Sequence, residues 1–172
     1  MQKIIDSSIE IFDQLNDFIE SIDDDVYQDN SSSLFESSIG QHLRHVLDIY
    51  HALIRNMTDD IVDYDIRLRG SSVEVSRRDA LQTLSDIRTW LAALCPHEIT
   101  RCVKIRTEIA ISEQHSSVLD TSFGRELFFA SNHTIHHLAL MVTIAKVLGC
   151  SIGANYGVAP ATATYNRQLA QS

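Results

Sequence analysis

The sequence predicts an all-α fold, a four-helix bundle with one small β-hairpin between its third and fourth long helices. Four segments repeat apolar residues at intervals of three and four, which is the period of an amphipathic helix. One segment, from Ile99 to Leu119, has apolar residues at alternate positions instead, which is the period of a half-exposed strand. The chain has 172 residues, a length that suits one domain with a core of its own.

The first two predicted helices lie in the amino-terminal third of the chain. The apolar positions of the first helix are Ile4, Ile5, Ile9, Phe12, Leu15, Phe18, Ile19 and Ile22. The acidic run Asp23–Asp25 and the polar residues 28–33 then predict a loop. Ser37 or Ser38 can cap the second helix, because a serine hydroxyl accepts a hydrogen bond from a free amide of the first turn. The apolar positions of the second helix are Ile39, Leu43, Val46, Leu47, Tyr50, Leu53 and Ile54.

A polar connection, residues 58–72, leads to the third predicted helix. This helix starts at about residues 73–77, runs to Leu94 and ends before Pro96, which lacks the amide that a continuing helix needs. Its apolar positions are Ala80, Leu81, Leu84, Ile87, Leu91 and Leu94. The alternating positions that follow are Val103, Ile105, Thr107, Ile109 and Ile111. Residues 112–116 predict the turn of a hairpin.

The last long helix begins after Ser122, a suitable capping residue, and has Glu126 in its first turn, where the helix dipole favours an anion. Its later apolar positions are Phe128, Phe129, Leu138, Leu140, Met141, Ile144, Val147 and Leu148. Gly149 predicts its end. From about residue 150 the chain is rich in Gly, Ala and Thr, which predicts an extended tail lying over the domain. With no repeat and no composition break, residues 1–172 are expected to form a single domain.

The composition argues against several classes of protein. The net charge of −9 opposes nucleic-acid binding, since neutralising phosphates requires clustered Lys and Arg. Acidic residues interrupt the amino-terminal apolar stretch, so no signal peptide is predicted, and no segment is long and apolar enough to span a membrane. The three cysteines show no Cys-x-x-Cys spacing, which favours reduced thiols. We therefore expect a cytoplasmic protein that binds neither nucleic acid nor a membrane.

The histidines are the most informative residues of the chain. Five of the eight histidines lie in two short segments of predicted helix, as His42, His45, His133, His136 and His137. Residues four apart on a helix have Cβ atoms about 5–6 Å apart, so His133 and His137 can point two imidazoles at one ion, and this spacing selects His137 over His136 as the partner of His133. A third histidine from the other helix would complete a set of three nitrogens with one coordination position open, as in catalytic zinc sites.

Three interpretations of these histidines compete. The simplest is that they have no chemical role, but several buried imidazoles without a common partner would leave polar nitrogens unsatisfied. A thermolysin-like protease needs Glu directly after the first histidine, and Thr134 stands there. A di-iron carboxylate bundle needs Glu-x-x-His pairs, whereas Ala130 precedes His133 at that spacing and His42 precedes His45. The sequence therefore favours a site made of histidines alone.

The pattern as a whole resembles the DinB/YfiT-like superfamily of metal-binding four-helix bundles. The resemblance covers nearly the full chain. It rests on the segment 38–48, which contains His42 and His45, and on the later pair of His133 and His137. In that superfamily, one histidine of the second helix and two histidines four apart on a later helix hold a divalent ion.

The resemblance implies His45, His133 and His137 as metal ligands, with His42, one turn before His45, as the substitute. It implies one divalent metal ion as cofactor, zinc or nickel in first place, although three imidazoles suit copper and iron equally well. It further implies a homodimer. Several members of the superfamily are associated with thiol S-transfer from low-molecular-weight thiols.

Six other residues are candidates for a role at the site. Glu126 lies seven positions before His133 and therefore on a similar helix face, and Asp48 lies three after His45, so either carboxylate can be a catalytic base. The solvated acid of a helix surface and the ion pair of a helix start are the simpler roles for these two. Arg125 and Tyr156 are candidates for substrate binding, because the turn 156–160 is expected to close a pocket beside the histidine helix. Arg67 and Arg69, in the polar connection, can bind a carboxylate or pair with nearby acids.

The function expected from these observations is metal-dependent thiol S-transfer. An open metal position would bind a thiol and lower the pKa of its sulfur. The alternatives are a non-catalytic, stress-related protein whose metal stabilises the fold, and a metal-dependent hydrolase in which the ion activates water. No motif identifies the thiol or the electrophile.

Overall fold

A computed structural model describes residues 2–57, 59 and 61–171 of the chain. Within these residues the protein is mostly helical, with one small three-stranded sheet. The α-helices are α1 (Gln2–Glu20), α2 (Asp24–Gln28), α3 (Ile39–Arg55), α4 (Arg77–Ala93), α5 (Phe123–Val147) and α6 (Pro160–Leu169). The strands are β1 (Ile61–Asp63), β2 (Cys102–Glu108) and β3 (Ser116–Ser122), and short 3₁₀ helices span Ser72–Glu74 and Glu98–Thr100.

The four long helices pack around one core, in line with the apolar periodicity of the sequence. Helix α1 contacts α4 and α5, and α3 contacts the same two helices. Large side chains from three of them, Phe12, Leu43, Tyr50 and Leu127, are fully buried. The rings of Phe12 and Tyr50 meet edge to face with centroids 4.6 Å apart, an arrangement that aromatic pairs prefer. This packing fixes α3 against α5, the two helices that carry the histidine segments.

Local signals at the ends of α3 and α5 agree with the sequence. Ser38, and not Ser37, caps α3: its hydroxyl accepts a hydrogen bond from the Gln41 amide, and the Gln41 side chain accepts one from the Ser38 amide. Ser122 caps α5 through the Arg125 amide, and Gly149 follows its end with a positive φ of 89°. The start of each histidine-bearing helix is thus set by its own sequence.

The hairpin predicted between the third and fourth long helices is present, formed by the antiparallel strands β2 and β3. It is shorter than the alternating pattern indicates, because β2 ends at Glu108 and both Ile109 and Ile111 are exposed. Strand β1 was not predicted. Its three residues pair in parallel with β2, Ile61 opposite Lys104, and they are too few to produce a periodic signal within a polar connection.

Two further parts of the chain differ from the sequence prediction. The acidic run 23–25 does not form only a loop, since Asp24 and Asp25 begin α2, where the dipole of a helix start favours negative charge. The expected extended tail contains helix α6, which starts at Pro160, a residue preorganised for the first helical position. No residue of α6 is buried, so no apolar period indicated it. Asp59 and Asp60 form a second pair of acidic residues in the sequence, and Asp60 lies outside the described residues.

No helix among the described residues has both the length and the apolar content needed to cross a membrane.

Candidate metal centre

Helices α3 and α5 bring the three predicted metal ligands together. Ring nitrogens of His45, His133 and His137, one from each, all lie within 4.8 Å of one another. The Nε2 atoms of His45 and His133 are 2.9 Å apart. The ring centroid of His137 lies 4.5 Å from that of His133 and 4.8 Å from that of His45. We call these three residues the histidine group.

His42 lies beside the histidine group. Its Nδ1 atom is 3.1 Å from Nδ1 of His137, which leaves Nε2 of His137 as the nitrogen available to a shared ion. The second nitrogen of a metal-bound imidazole is commonly held by a neighbour that fixes the orientation of the ring. His42 occupies that position toward His137. His136 is exposed and stays outside the group.

Burial keeps the imidazoles of the histidine group in the neutral form. It lowers the pKa of His137 to about 3, and the neighbouring histidines act in the same direction. Burial, and after it the charge of Arg67, lowers the pKa of His45 to about 4. The pKa of His133 is also lowered, chiefly by burial. A metal binds the neutral imidazole, so all three side chains are ready to act as ligands at neutral pH.

The donor set fits a divalent transition metal. Imidazole nitrogen is a ligand that zinc, nickel, copper and iron share. In the described residues no carboxylate accepts a hydrogen bond from a ring N–H of His45, His133 or His137. Three protein nitrogens also leave a coordination position open for a small ligand. The group can therefore hold an ion and present it to another molecule.

Arg67 is the neighbour of the histidine group that the sequence did not single out as part of the metal site. Its Nη1 atom lies 3.1 Å from Nδ1 of His45. A guanidinium group only donates hydrogen bonds, so Nδ1 of His45 accepts here and the ring proton resides on Nε2. That proton points to Nε2 of His133. Arg67 reaches this place from the loop between β1 and the first 3₁₀ helix, far from the histidines in sequence.

Asp48 holds the loop that carries Arg67. The simpler expectation for Asp48 is a solvated acid on the helix surface. Its side chain is instead buried. One carboxylate oxygen accepts a hydrogen bond from Arg44 and the other from the Leu68 amide, at 2.9 Å and 3.2 Å. Arg44 also pairs with Glu74 at 2.8 Å. Asp48 thus contacts the loop and not the imidazole of His45.

Glu126 belongs to a second polar cluster on α5. Only 1% of its surface is exposed. Its carboxylate accepts hydrogen bonds from the Tyr64 hydroxyl, the Thr121 hydroxyl and the Arg125 guanidinium, at 2.8, 2.8 and 3.1 Å. Burial and the Glu126 carboxylate raise the pKa of Tyr64. The cluster ties the end of β1 and the end of β3 to the start of α5.

Comparison with known proteins agrees with the arrangement of the helices. The profile of the DinB family matches residues 6–168, nearly the whole chain. The chain belongs to the DinB family. The crystal structure of a DinB-like protein, YjoA of Bacillus subtilis, covers 90% of this chain and 97% of its own with a TM-score of 0.60 at 15% sequence identity, which shows a shared fold.

A curated relative, FK506-binding protein 5 of Rhizopus delemar, is 31% identical over 102 residues. The match covers 59% of this chain and 26% of the relative. The matching part thus spans about a quarter of that relative's length.

In this DinB family protein, Tyr156 lies away from the histidine group, although the sequence predicts it in the wall of a pocket beside those histidines. Its ring packs against Phe18 of α1, with centroids 6.0 Å apart. A Cβ atom on the adjacent Gly157 would lie 2.5 Å from the Ala139 amide nitrogen, so this turn rests on α5 at Ala139. Residue 139 projects from the side of the helix opposite to His133 and His137. The turn 156–160 therefore does not border the histidine group. Together with α5 it lines a cavity of about 190 Å³ through Ile135, Val158 and Pro160, and no histidine lines that cavity.

Proposed function

We propose that this DinB family protein binds one divalent metal ion, zinc or nickel, through His45, His133 and His137. The observation that supports the proposal is the convergence of three neutral imidazoles whose nitrogens lie within 4.8 Å of one another. Without an ion these nitrogens can pair only two at a time, with one proton between Nε2 of His45 and Nε2 of His133. A cation would engage all three lone pairs at once.

We further propose that the site serves thiol S-transfer from a low-molecular-weight thiol, as the family resemblance implies. A divalent ion supplies positive charge that lowers the pKa of a thiol and stabilises its thiolate. The thiol would release its proton to water, its sulfur would form a bond to an electrophilic carbon of the second substrate, and the leaving group would depart with its electron pair. His45 and His133 are half-buried, so one side of the histidine group stays accessible to such molecules.

The residues around the histidine group have positioning roles in this proposal. His42 holds the ring of His137, and Asp48 anchors the loop of Arg67. An apolar cavity of about 170 Å³ lies next to His42 and is lined in part by Phe35 and Leu140. It can receive an apolar part of the electrophile, because small-molecule sites combine apolar walls with a few polar groups.

The proposal includes the four-helix bundle that the sequence predicts for α1, α3, α4 and α5, and a cytoplasmic homodimer. Exposed apolar side chains on α5, such as Phe128 and Val147, support an association of two copies. Sedimentation of the purified protein tests the dimer, and a mass of one chain at every concentration would contradict it.

The metal and the reaction are tested together. Elemental analysis of the purified protein identifies the ion, and a panel of thiols with one electrophile tests transfer. Chelation is expected to abolish transfer and to leave most helix content in place, because the helices have a core that is independent of the ion. Global unfolding on chelation, with no transfer for any thiol, would favour the structural-metal alternative. Metal-dependent hydrolysis without a thiol would favour the hydrolase alternative.

A further inference from the structure

The loop carrying Arg67 places a guanidinium group directly beside a proposed metal ligand. The contact is 3.1 Å, from Nη1 to Nδ1 of His45. Arg67 forms no ion pair with a carboxylate in the part of the chain that the structure describes. Asp65, the nearest acid in sequence, instead accepts hydrogen bonds from the Glu108 amide and the Ser116 hydroxyl, both at 2.7 Å. Within the described residues the guanidinium group of Arg67 therefore has no direct carboxylate partner, although Asp65 and Glu108 lie nearby on the wall of one cavity.

The hydrogen bond between Arg67 and His45 is compatible only with a metal-free His45. A neutral imidazole has one N–H group and one lone pair. When Nε2 binds a metal, the remaining proton resides on Nδ1, and Nδ1 becomes a donor that faces the donor Nη1. Arg67 then needs another acceptor. The second ring nitrogen of a metal-bound histidine usually donates its proton to an acceptor. The guanidinium group of Arg67 is a donor, so it cannot take that role.

A cavity next to Arg67 can hold such an acceptor. It has a volume of about 400 Å³ and is lined by Asp65, Arg67, Arg69, Thr107 and Glu108. A divalent ion on three neutral histidines, with Arg67 beside it, would concentrate positive charge in a chain whose net charge is −9. An anion at this place would offset that charge and accept the hydrogen bond that His45 no longer accepts.

We propose that Arg67 forms an anion subsite beside the metal and selects a substrate that carries a carboxylate group. Asp48 is the positioning residue of this subsite, because its hydrogen bond to the Leu68 amide fixes the loop at the residue after Arg67. This inference rests on the metal site proposed above and adds to it the class of substrate. The carboxylate is on the thiol or on the electrophile, and the test below probes the thiol.

The test uses the full chain loaded with Co²⁺, whose visible spectrum responds to a change of ligand, and three probes. Acetate reports anion binding alone. The pair of 3-mercaptopropionate and 2-mercaptoethanol presents the same thiol with and without a carboxylate. The variants are Arg67→Gln, Arg67→Lys and, as a control with the same loss of charge, Arg78→Gln, whose side chain is exposed on α4. Circular dichroism checks that each variant is folded.

We expect Arg67→Gln to weaken the binding of acetate and of 3-mercaptopropionate roughly tenfold, since a hydrogen bond between charged groups is lost. The binding of 2-mercaptoethanol should change little, Arg67→Lys should retain part of the anion affinity, and Arg78→Gln should match the original protein. Equal loss for both thiols, no loss for either anion, or no acetate binding by the original protein would overturn the proposal.

The same experiment separates this proposal from the thiol-transfer function. If neither thiol produces a thiolate-to-cobalt band while acetate binding depends on Arg67, the anion subsite stands and the thiol function fails. If both thiols produce the band with equal affinity in every variant, thiol binding stands and the anion subsite fails. If the protein does not take up Co²⁺, the metal site fails and the anion subsite with it.

Discussion

Helix α5 carries two buried polar clusters that differ in how they are satisfied. The carboxylate of Glu126 meets three donors, from Tyr64, Thr121 and Arg125, and so resembles a closed structural network. The histidine group, two turns further along, joins bases of one kind, with the Nε2 atoms of His45 and His133 facing each other at 2.9 Å. Burial alone does not separate a structural cluster from a binding site. The neighbouring groups do separate them, because a carboxylate surrounded by donors is already satisfied, whereas several converging imidazoles can still bind a metal.

The largest expected effect concerns the histidine group, which is the cluster open to a metal ion. His133→Ala should remove nearly all bound metal, a larger loss than the roughly 10- to 100-fold that outer neighbours of ligands cost in affinity. The measurement is elemental analysis after dialysis, with His115→Ala as the control, because His115 is an exposed histidine of the hairpin connection. Unchanged metal content in His133→Ala would show that the ligand assignment is wrong.

A substitution in the closed cluster around Glu126 should change the stability of the protein and not its metal content. Glu126→Ala leaves the buried Tyr64 hydroxyl and the Thr121 hydroxyl without their acceptor and should lower the free energy of unfolding by about 2–3 kcal/mol. Urea denaturation of the metal-free protein measures this, with the exposed Glu113→Ala as control. Metal content should stay at the original level.

A catalytic role for Glu126 makes a different prediction. Glu126→Gln keeps an acceptor for the two hydroxyls and should retain most of the stability. A loss of thiol transfer in this folded variant, with metal still bound, would move Glu126 from the structural cluster to the reaction.

A smaller effect is expected at the border of the open cluster. His42→Ala should weaken metal binding about tenfold, because His137 loses the neighbour that orients its ring but keeps its own nitrogen. A competition titration against a chelator of known affinity measures the change. A loss as large as that of His133→Ala would instead make His42 a ligand, the substitute role that the sequence allows.

The smallest effect concerns the metal-free protein in acid. The folded pKa values of His45 and His137, about 4 and 3, lie below the unfolded value of about 6.5, so the unfolded chain binds more protons between these limits. Stability should be complete above about pH 6.5 and fall as the pH drops toward 4. We expect the two histidines together to cost roughly 1 kcal/mol of stability at pH 6.2 relative to pH 7.5. Urea midpoints measure it, and a flat profile would contradict buried neutral imidazoles.

The features of the fold that rest on short-range chemistry were predictable from the sequence. The long helices follow from apolar residues three and four apart, and the start of α5 follows from Ser122. The i,i+4 pair of His133 and His137 depends only on helix geometry. A second histidine-bearing helix predicts a third ligand, but only the family resemblance prefers His45 to His42. Such signals lie within one or two helical turns of sequence, where the contacts between neighbouring residues determine the structure.

The features that rest on distant contacts were not predictable. Strand β1 has three residues and gains its partner only from β2. Arg67 meets His45 because Asp48 anchors the loop and β1 aligns it, and no spacing in the sequence expresses either contact. The sequence predicts the turn at Tyr156 beside the histidines, whereas the turn packs on α5 at Ala139. This contact depends on Gly157, and no periodic pattern indicates it.

The parallel pairing of β1 with β2 sets the order in which a growing chain can complete the proposed metal site. A ribosome delivers α3 and the loop of Arg67 first, whereas Lys104, the partner of Ile61, emerges only after all of α4. The histidines of α5 come later still. Of the proposed ligands and the substitute His42, a nascent chain therefore offers an ion only His42 and His45, which are too few nitrogens for tight capture. Metal uptake is thus expected to follow folding, so loading with an ion can serve as a check that synthesis and assembly are finished.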